Sequence, residues 1–138
     1  MALDMAKYRA LFLEEATEHL AEMSRALIEL EKDAASTESI DLVFRMAHSI
    51  KSMAASVGYD AVSEVAHALE DRMERVRSAG RVEGPDGLAL LFVGLEGLER
   101  MLAVVRDEDA APAADPALVA RLAARAPAET PPPKKART

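Results

Sequence analysis

The chain of 138 residues contains no cysteine, which excludes disulfide bridges, thiol nucleophiles and cysteine-ligated metals. Aromatic residues make up only 4% of the chain and tryptophan is absent, although half of all residues are hydrophobic. Ala, Leu, Val and Met therefore supply most of the apolar surface, and this balance favours packed helices over a sheet. The length is that of one compact domain with a single core.

Basic residues are too few to balance the acidic ones, and the formal net charge is −7. Residues 126–138 hold three cations and one anion, which leaves a net charge of −9 on residues 1–125. Such an acidic body argues against nucleic acid or anionic membranes as the main partner. No apolar run approaches the ~20 residues of a membrane span, and the N-terminus lacks a basic-then-apolar signal pattern. We therefore expect a cytoplasmic protein without direct membrane insertion.

Apolar residues recur at steps of three and four, which predicts four long helices and a short fifth one. Capping residues and turn signals mark their ends: Asp4 before the first helix, Ser36 or Thr37 before the second, Gly58 after it, Asp60 and Gly80 around the third, a turn cluster at residues 81–87, and Asp115-Pro116 before the fifth. Short turns between long helices imply an all-α fold, an antiparallel up-down four-helix bundle with a short fifth C-terminal helix. We divide the chain into this bundle, residues 1–125, and a Pro-rich flexible linker, residues 126–138.

Two of the three histidines, His48 and His67, lie on the second and third helices, each with a charged residue three positions later, Lys51 and Glu70. A helix turns about 100° and rises about 1.5 Å per residue, so His48 and Glu70 fall at the borders of their apolar faces and at similar distances from Gly58. Antiparallel packing brings these borders to one side of the seam between the helices. The spacing therefore predicts that His48 and Glu70 meet across the hairpin.

This pairing would give His48 a chemical role. A carboxylate that accepts a hydrogen bond from one ring nitrogen fixes the tautomer, leaves the other nitrogen facing solvent and stabilises positive charge on the ring. An oriented, exposed imidazole is a nucleophile, and Lys51 adds a cation where a phosphoryl group would bring negative charge. The sequence has no GxxxxGK[ST] loop, glycine-rich nucleotide loop or Ser/His/Asp set, so we expect an acceptor without a site of its own for ATP.

Three segments resemble one known family: "FRMAHSIKSMAASVGY", "VAHALED" and the opening "YRALFLEEATEHLAEMSRALIELEKD". They are similar to segments of the N-terminal histidine phosphotransfer (HPt) domain of CheA-type chemotaxis histidine kinases, and the likeness covers most of residues 5–106. The resemblance implies that His48 is the phospho-accepting histidine and Glu70 its hydrogen-bond partner. It makes Lys51 and His67 supporting members of the polar network.

The resemblance also implies two partners and no cofactor within this domain. A separate kinase domain of the same protein, which binds ATP and Mg²⁺, would phosphorylate His48, usually across a dimer. The phosphoryl group would then pass to an aspartate of a CheY-like response-regulator receiver domain. The parent chain would be a histidine protein kinase, and the domain itself is expected to be a monomer. One departure from the family is Ser52-Met53, where glycine usually follows the lysine on the surface that partners approach.

The residues alone leave other interpretations open. The domain could be a free-standing phosphorelay protein, or a bundle that only binds partners through its helix faces. His48, His67 and Glu70 could bind a divalent transition metal, although no fourth ligand is evident and Lys51 would lie beside the ion. His48 could also be a half-buried histidine with a structural hydrogen bond. We interpret His19, on the first helix, as a solvated surface residue.

Overall fold

The computed structural model describes residues 4–124. In this part of the chain five α-helices follow one another: α1 (Met5–Lys32), α2 (Thr37–Ser56), α3 (Asp60–Ala79), α4 (Gly84–Glu108) and α5 (Pro116–Ala123). α2 and α4 each pack against both α1 and α3, and α5 lies against α3 and α4. The predicted fold, an antiparallel four-helix bundle with a short fifth helix, is confirmed. The predicted linker, residues 126–138, lies outside the described residues.

Most helix ends follow the predicted capping signals. The side chains of Asp4, Ser36 and Asp115 each accept a hydrogen bond from the backbone N–H three residues later, at 3.2–3.3 Å. These bonds satisfy donors that have no partner within a helix. Gly80 ends α3 with a φ of 83°, a left-handed conformation that glycine adopts at little cost.

Two helix starts differ from the prediction. Asp60 is the first residue of α3 and not its cap, because Tyr59 takes the cap position without a capping side-chain bond. The Tyr59 ring instead packs in the core against Phe12, with 5.5 Å between the ring centroids. α4 begins at Gly84, inside the segment predicted as a turn, since Pro85 fits the first turn of a helix, where its missing N–H is not needed. The order of the helices is unaffected.

The core consists of buried side chains from all five helices. Its largest fully buried members are Met23, Leu27, Leu30, Ile50, Leu69, Met73, Leu91, Leu98 and Leu122. Burial of one such side chain contributes roughly 1.5–3 kcal/mol, so this packing holds the helices of the bundle together. Among the described residues, no helix combines the length and apolar composition needed to cross a membrane.

α5 occupies a groove that two glycines create in α4. A Cβ atom at Gly97 would collide with Leu118, and one at Gly94 would come within 3.2 Å of Leu122. The absence of side chains at these two positions therefore lets the apolar face of α5 approach the backbone of α4.

Two arginines of α3 hold the C-terminal end of α5. Arg72 and Arg75 donate hydrogen bonds to the backbone carbonyls of residues 122–124. The last carbonyls of a helix have no partner within it, so these guanidinium groups satisfy acceptors that would otherwise need water. The same helix that carries Glu70 thus also fixes the end of the bundle.

Candidate functional site

His48 and Glu70 lie within hydrogen-bond distance, as the helix geometry predicts. Nδ1 of His48 and Oε2 of Glu70 are 2.6 Å apart across the seam between α2 and α3. An ionised carboxylate only accepts hydrogen bonds, so Nδ1 is the protonated nitrogen and donates to it. The side chain of His48 is 56% exposed and that of Glu70 only 11%. The seam therefore holds the carboxylate while the ring projects toward solvent.

Lys51 binds the other oxygen of the Glu70 carboxylate. Its Nζ lies 2.7 Å from Oε1 of Glu70, so each carboxylate oxygen has its own partner. The backbone carbonyl of Lys51 accepts a hydrogen bond of 3.0 Å from Oγ of Ser63 on α3, which ties the two helices together at this level. The result is a cation held beside the imidazole of His48.

Two opposing effects act on the pKa of Glu70. Burial by itself raises the pKa, whereas the hydrogen bonds and charges of Lys51 and His48 lower it. The pairing outweighs the burial, and the pKa lies below its ordinary value of 4.5. Glu70 is therefore ionised at neutral pH, which keeps it an acceptor and fixes the Nδ1–H tautomer of His48.

The second ring nitrogen of His48 is accessible. With Nδ1 bonded to Glu70, Nε2 carries the lone pair, and none of the hydrogen bonds within residues 4–124 engages it. A ring of fixed tautomer with an exposed lone pair is a nucleophile. Any positive charge that develops on the ring when a bond forms at Nε2 is stabilised by the carboxylate on its other side.

His67 pairs within its own helix. Its Nε2 lies 3.6 Å from Oδ2 of Asp71, one turn later, and both side chains are more than half exposed. The structure thus brings His48, Lys51 and Glu70 into one network and places His67 beside it, in contact with Asp71. The supporting role of His67 stays a prediction. Asp71 was not among the predicted site residues, although its spacing of four residues from His67 is a signal for this contact.

The prediction for His19 is wrong. This side chain is half-buried between α1 and α2, where its Nε2 lies 3.1 Å from Oγ of Ser49. Its Nδ1 is buried and has no hydrogen-bond partner in the part of the chain that the structure describes. His19 lies three residues after Ala16 and four before Met23, both fully buried, and this helical spacing is the sequence signal that indicates its burial.

An apolar groove opens between α1 and the C-terminal part of α2. It encloses about 310 Å³ and is lined by Met5, Tyr8, Leu11, Phe12, Glu15, Met53, Ser56 and Val57. Tyr8 and Leu11 are 46% and 47% exposed. Met53 follows His48 by five residues, which is roughly 7.5 Å along the helix axis. Of the unusual Ser52-Met53 pair, Met53 therefore contributes to the wall of this groove, about 140° around α2 from His48.

The family model of the Hpt domain matches residues 7–126, which include the whole of this site. The chain belongs to the Hpt domain family. Its three-residue network of His48, Lys51 and Glu70 is thus a feature of an Hpt domain, and the fold and the family agree.

Relatives of this Hpt domain include chemotaxis proteins. The domain is 34% identical over 98 residues to chemotaxis protein CheA of Halobacterium salinarum and 33% identical over 105 residues to CheA of Bacillus subtilis. The alignments cover 71% and 76% of this chain but only 15% and 16% of those two proteins. The chain therefore spans about one sixth of the length of these relatives.

Solved structures share the fold of this Hpt domain. The CheA phosphotransferase domain from Thermotoga maritima has a TM-score of 0.68 at 28% sequence identity, over 76% of this chain and 99% of that one. The phosphorylated P1 domain of CheA3 from R. sphaeroides, in complex with CheY6, has a TM-score of 0.72 at 24% identity, over 84% and 92% of the two chains. The five helices are thus arranged as in known phosphotransfer domains.

Proposed function

We propose that this Hpt domain relays phosphoryl groups through Nε2 of His48. The observation that carries the proposal is the 2.6 Å hydrogen bond between Nδ1 of His48 and Glu70, which orients an exposed imidazole. The identity to CheA proteins supports a place in a chemotaxis-type two-component pathway. In this role the phosphoryl donor is ATP, bound with Mg²⁺ by a separate histidine kinase domain.

In the first step the lone pair of Nε2 attacks the γ-phosphorus of ATP. A bond forms between Nε2 and phosphorus while the bond to the bridging oxygen breaks, and ADP leaves with that electron pair. The proton on Nδ1 stays in place, so the ring gains positive charge that Glu70 stabilises. The ammonium of Lys51 offsets part of the negative charge of the phosphoryl group.

In the second step an aspartate of a response-regulator receiver domain attacks the same phosphorus. The phosphorus–nitrogen bond breaks, an acyl phosphate forms on the receiver, and His48 regains its neutral Nδ1–H form. The complex of the phosphorylated P1 domain of CheA3 with CheY6 supports a partner of this kind. The apolar groove between α1 and α2, on the helix that carries His48, offers a docking surface for it.

The test is phosphorylation of the domain by ATP and the catalytic portion of a CheA-type kinase. We expect incorporated phosphate that is labile in acid and stable in alkali, and we expect His48→Gln to abolish it. His19→Gln is the matched control, because it removes a different imidazole and keeps a polar group near Ser49. Undiminished labelling of the His48→Gln protein would place the acceptor elsewhere and overturn the proposal.

A further inference from the structure

We propose that His67, Glu70 and Asp71 form a binding site for a divalent transition metal such as Zn²⁺, and that the bound metal suppresses phosphoryl acceptance by His48. Only the second part rests on the function proposed above. The three residues occupy positions i, i+3 and i+4 of α3, so their side chains share one face of the helix. One ligand atom from each residue lies within 4.8 Å of the other two.

The separations are close to those of a zinc site. Zinc binds imidazole nitrogen and carboxylate oxygen at about 2.0–2.2 Å, so its tetrahedral ligand atoms stand roughly 3.4 Å apart. Nε2 of His67 and Oδ2 of Asp71 are already 3.6 Å apart. Both side chains are exposed, by 59% and 65%, so they can change rotamer without disturbing the core. The fourth position is left to water.

The donor set and the charge of the molecule both suit a dication. Zinc readily takes one imidazole and two carboxylates as ligands, and the two carboxylates balance its charge. The net charge of −9 on residues 1–125 raises the local concentration of cations. The metal site considered from the sequence had His48, His67 and Glu70 as ligands. In the structure Asp71 replaces His48 in this set.

The metal and the imidazole of His48 would share one oxygen atom. Lys51 is bonded to Oε1 of Glu70, so the metal would compete with His48 for Oε2. Oε2 is also the acceptor for Nδ1 of His48. A metal at this oxygen neutralises the charge that fixes the tautomer and stabilises the phosphorylated ring. It would therefore act as an inhibitor of the relay and not as a cofactor.

Binding is measured first, without any phosphoryl donor. Zn²⁺ is titrated into the full chain, and the heat of binding and the imidazole NMR resonances are followed. We expect saturable binding of one ion with a shift at His67, reversed by EDTA, and an affinity lower by about tenfold or more in His67→Gln and in Asp71→Asn. His19→Gln removes an imidazole outside the cluster and should keep the affinity.

The inhibitory effect is measured with phosphoramidate, a small donor that needs no kinase domain. Its phosphorus–nitrogen bond breaks, ammonia leaves, and phosphorus bonds to Nε2 of His48. Saturating Zn²⁺ should slow this labelling of the unaltered chain by about tenfold or more, as expected when an oriented charged hydrogen bond is lost. The Asp71→Asn protein should need a zinc concentration about tenfold or more higher for the same slowing, measured against its own metal-free rate.

The two measurements separate the possible failures. No saturable binding, binding that both variants retain, or a shift at His48 without His67 would overturn the metal site. Zinc binding with unchanged labelling would overturn its inhibitory role. A chain that accepts no phosphate even in EDTA would contradict the function proposed for His48, and the titration would still decide the metal site.

Discussion

At the scale of single residues, the site depends on one carboxylate with two partners. Glu70 bonds His48 through one oxygen and Lys51 through the other. Its side chain is 11% exposed, whereas that of His48 is 56% exposed. The buried member of the pair controls orientation and the exposed member faces the reactants. A change at Glu70 should therefore affect chemistry more than folding.

Glu70→Gln should slow phosphorylation of His48 roughly tenfold to hundredfold. A hydrogen bond to a charged group contributes about 1.5–3 kcal/mol, and each 1.36 kcal/mol corresponds to about tenfold in rate. Glutamine keeps the shape of the side chain, so the seam should stay packed. Phosphoramidate labelling measures the rate and circular dichroism the helicity. Glu64→Gln, an exposed amide substitution on the same helix, is the control, and a folded Glu70→Gln protein with an equal rate would contradict tautomer control.

The lowered pKa of Glu70 predicts a pH-dependent contribution to stability. Since the folded-state pKa lies below the ordinary value of 4.5, the folded chain binds fewer protons than the unfolded chain in this range. The contribution is therefore complete above that value and is lost as the pH falls through the folded-state pKa. In EDTA, urea unfolding should show a steeper loss of free energy below pH 4.5 for the unaltered chain than for Glu70→Gln. If the free energies of unfolding of the two proteins fell in parallel with pH, Glu70 would make no such contribution.

At the scale of helices, the pairing of His48 with Glu70 is predictable because it depends only on local quantities. Both residues lie a known number of positions from Gly58, and the rise and rotation per residue are constant. The same reasoning indicates that His19 is partly buried, but it does not identify its partner. A helical wheel gives the direction of its side chain around α1 but not what faces it, and its partner, Ser49, belongs to α2.

α5 is a helix whose existence follows from local sequence pattern but whose position does not. Its apolar spacing and Asp115 cap predict the helix, but its place in the fold depends on Gly94 and Gly97 of α4 and on arginines of α3. Glycine within a helix costs about 1 kcal/mol relative to alanine. From sequence alone, Gly94 and Gly97 therefore only lower the helix propensity of α4. Only the packed structure shows that these positions admit Leu118 and Leu122.

Leu122→Ala should therefore destabilise the attachment of α5 without changing the chemistry of His48. Leu122 is fully buried against Gly94, and truncation of such a leucine costs about 2–5 kcal/mol. Urea unfolding measures the loss, and phosphoramidate labelling in the absence of urea should be unchanged, because the site lies between α2 and α3. Arg121→Ala, at the exposed neighbouring position, is the control. Equal free energies of unfolding for the two variants would contradict the packing of Leu122 against Gly94.

At the scale of the whole molecule, α2 carries His48 on its α3 side and borders an apolar groove on its α1 side. The large exposed apolar side chains of residues 4–124 are Tyr8, Leu11 and Ile28. Tyr8 and Leu11 line the groove between α1 and α2. The rest of the body is strongly acidic, which disfavours non-specific association between copies of the chain. The groove is therefore an apolar contact surface on the same helix pair as His48.

We expect this groove to serve the docking of the receiver domain and not the chemistry of His48. Leu11→Arg places a charge in the groove and should slow phosphoryl transfer from the phosphorylated domain to a receiver by roughly tenfold, the effect of losing one well-packed interface side chain. Labelling by phosphoramidate should be unchanged, because it needs no docked partner. Ile28→Arg is the matched control, since Ile28 is on the same helix and 45% exposed but outside the groove. Equal transfer rates from Leu11→Arg and Ile28→Arg would mean that the receiver reaches Nε2 by a surface other than the groove.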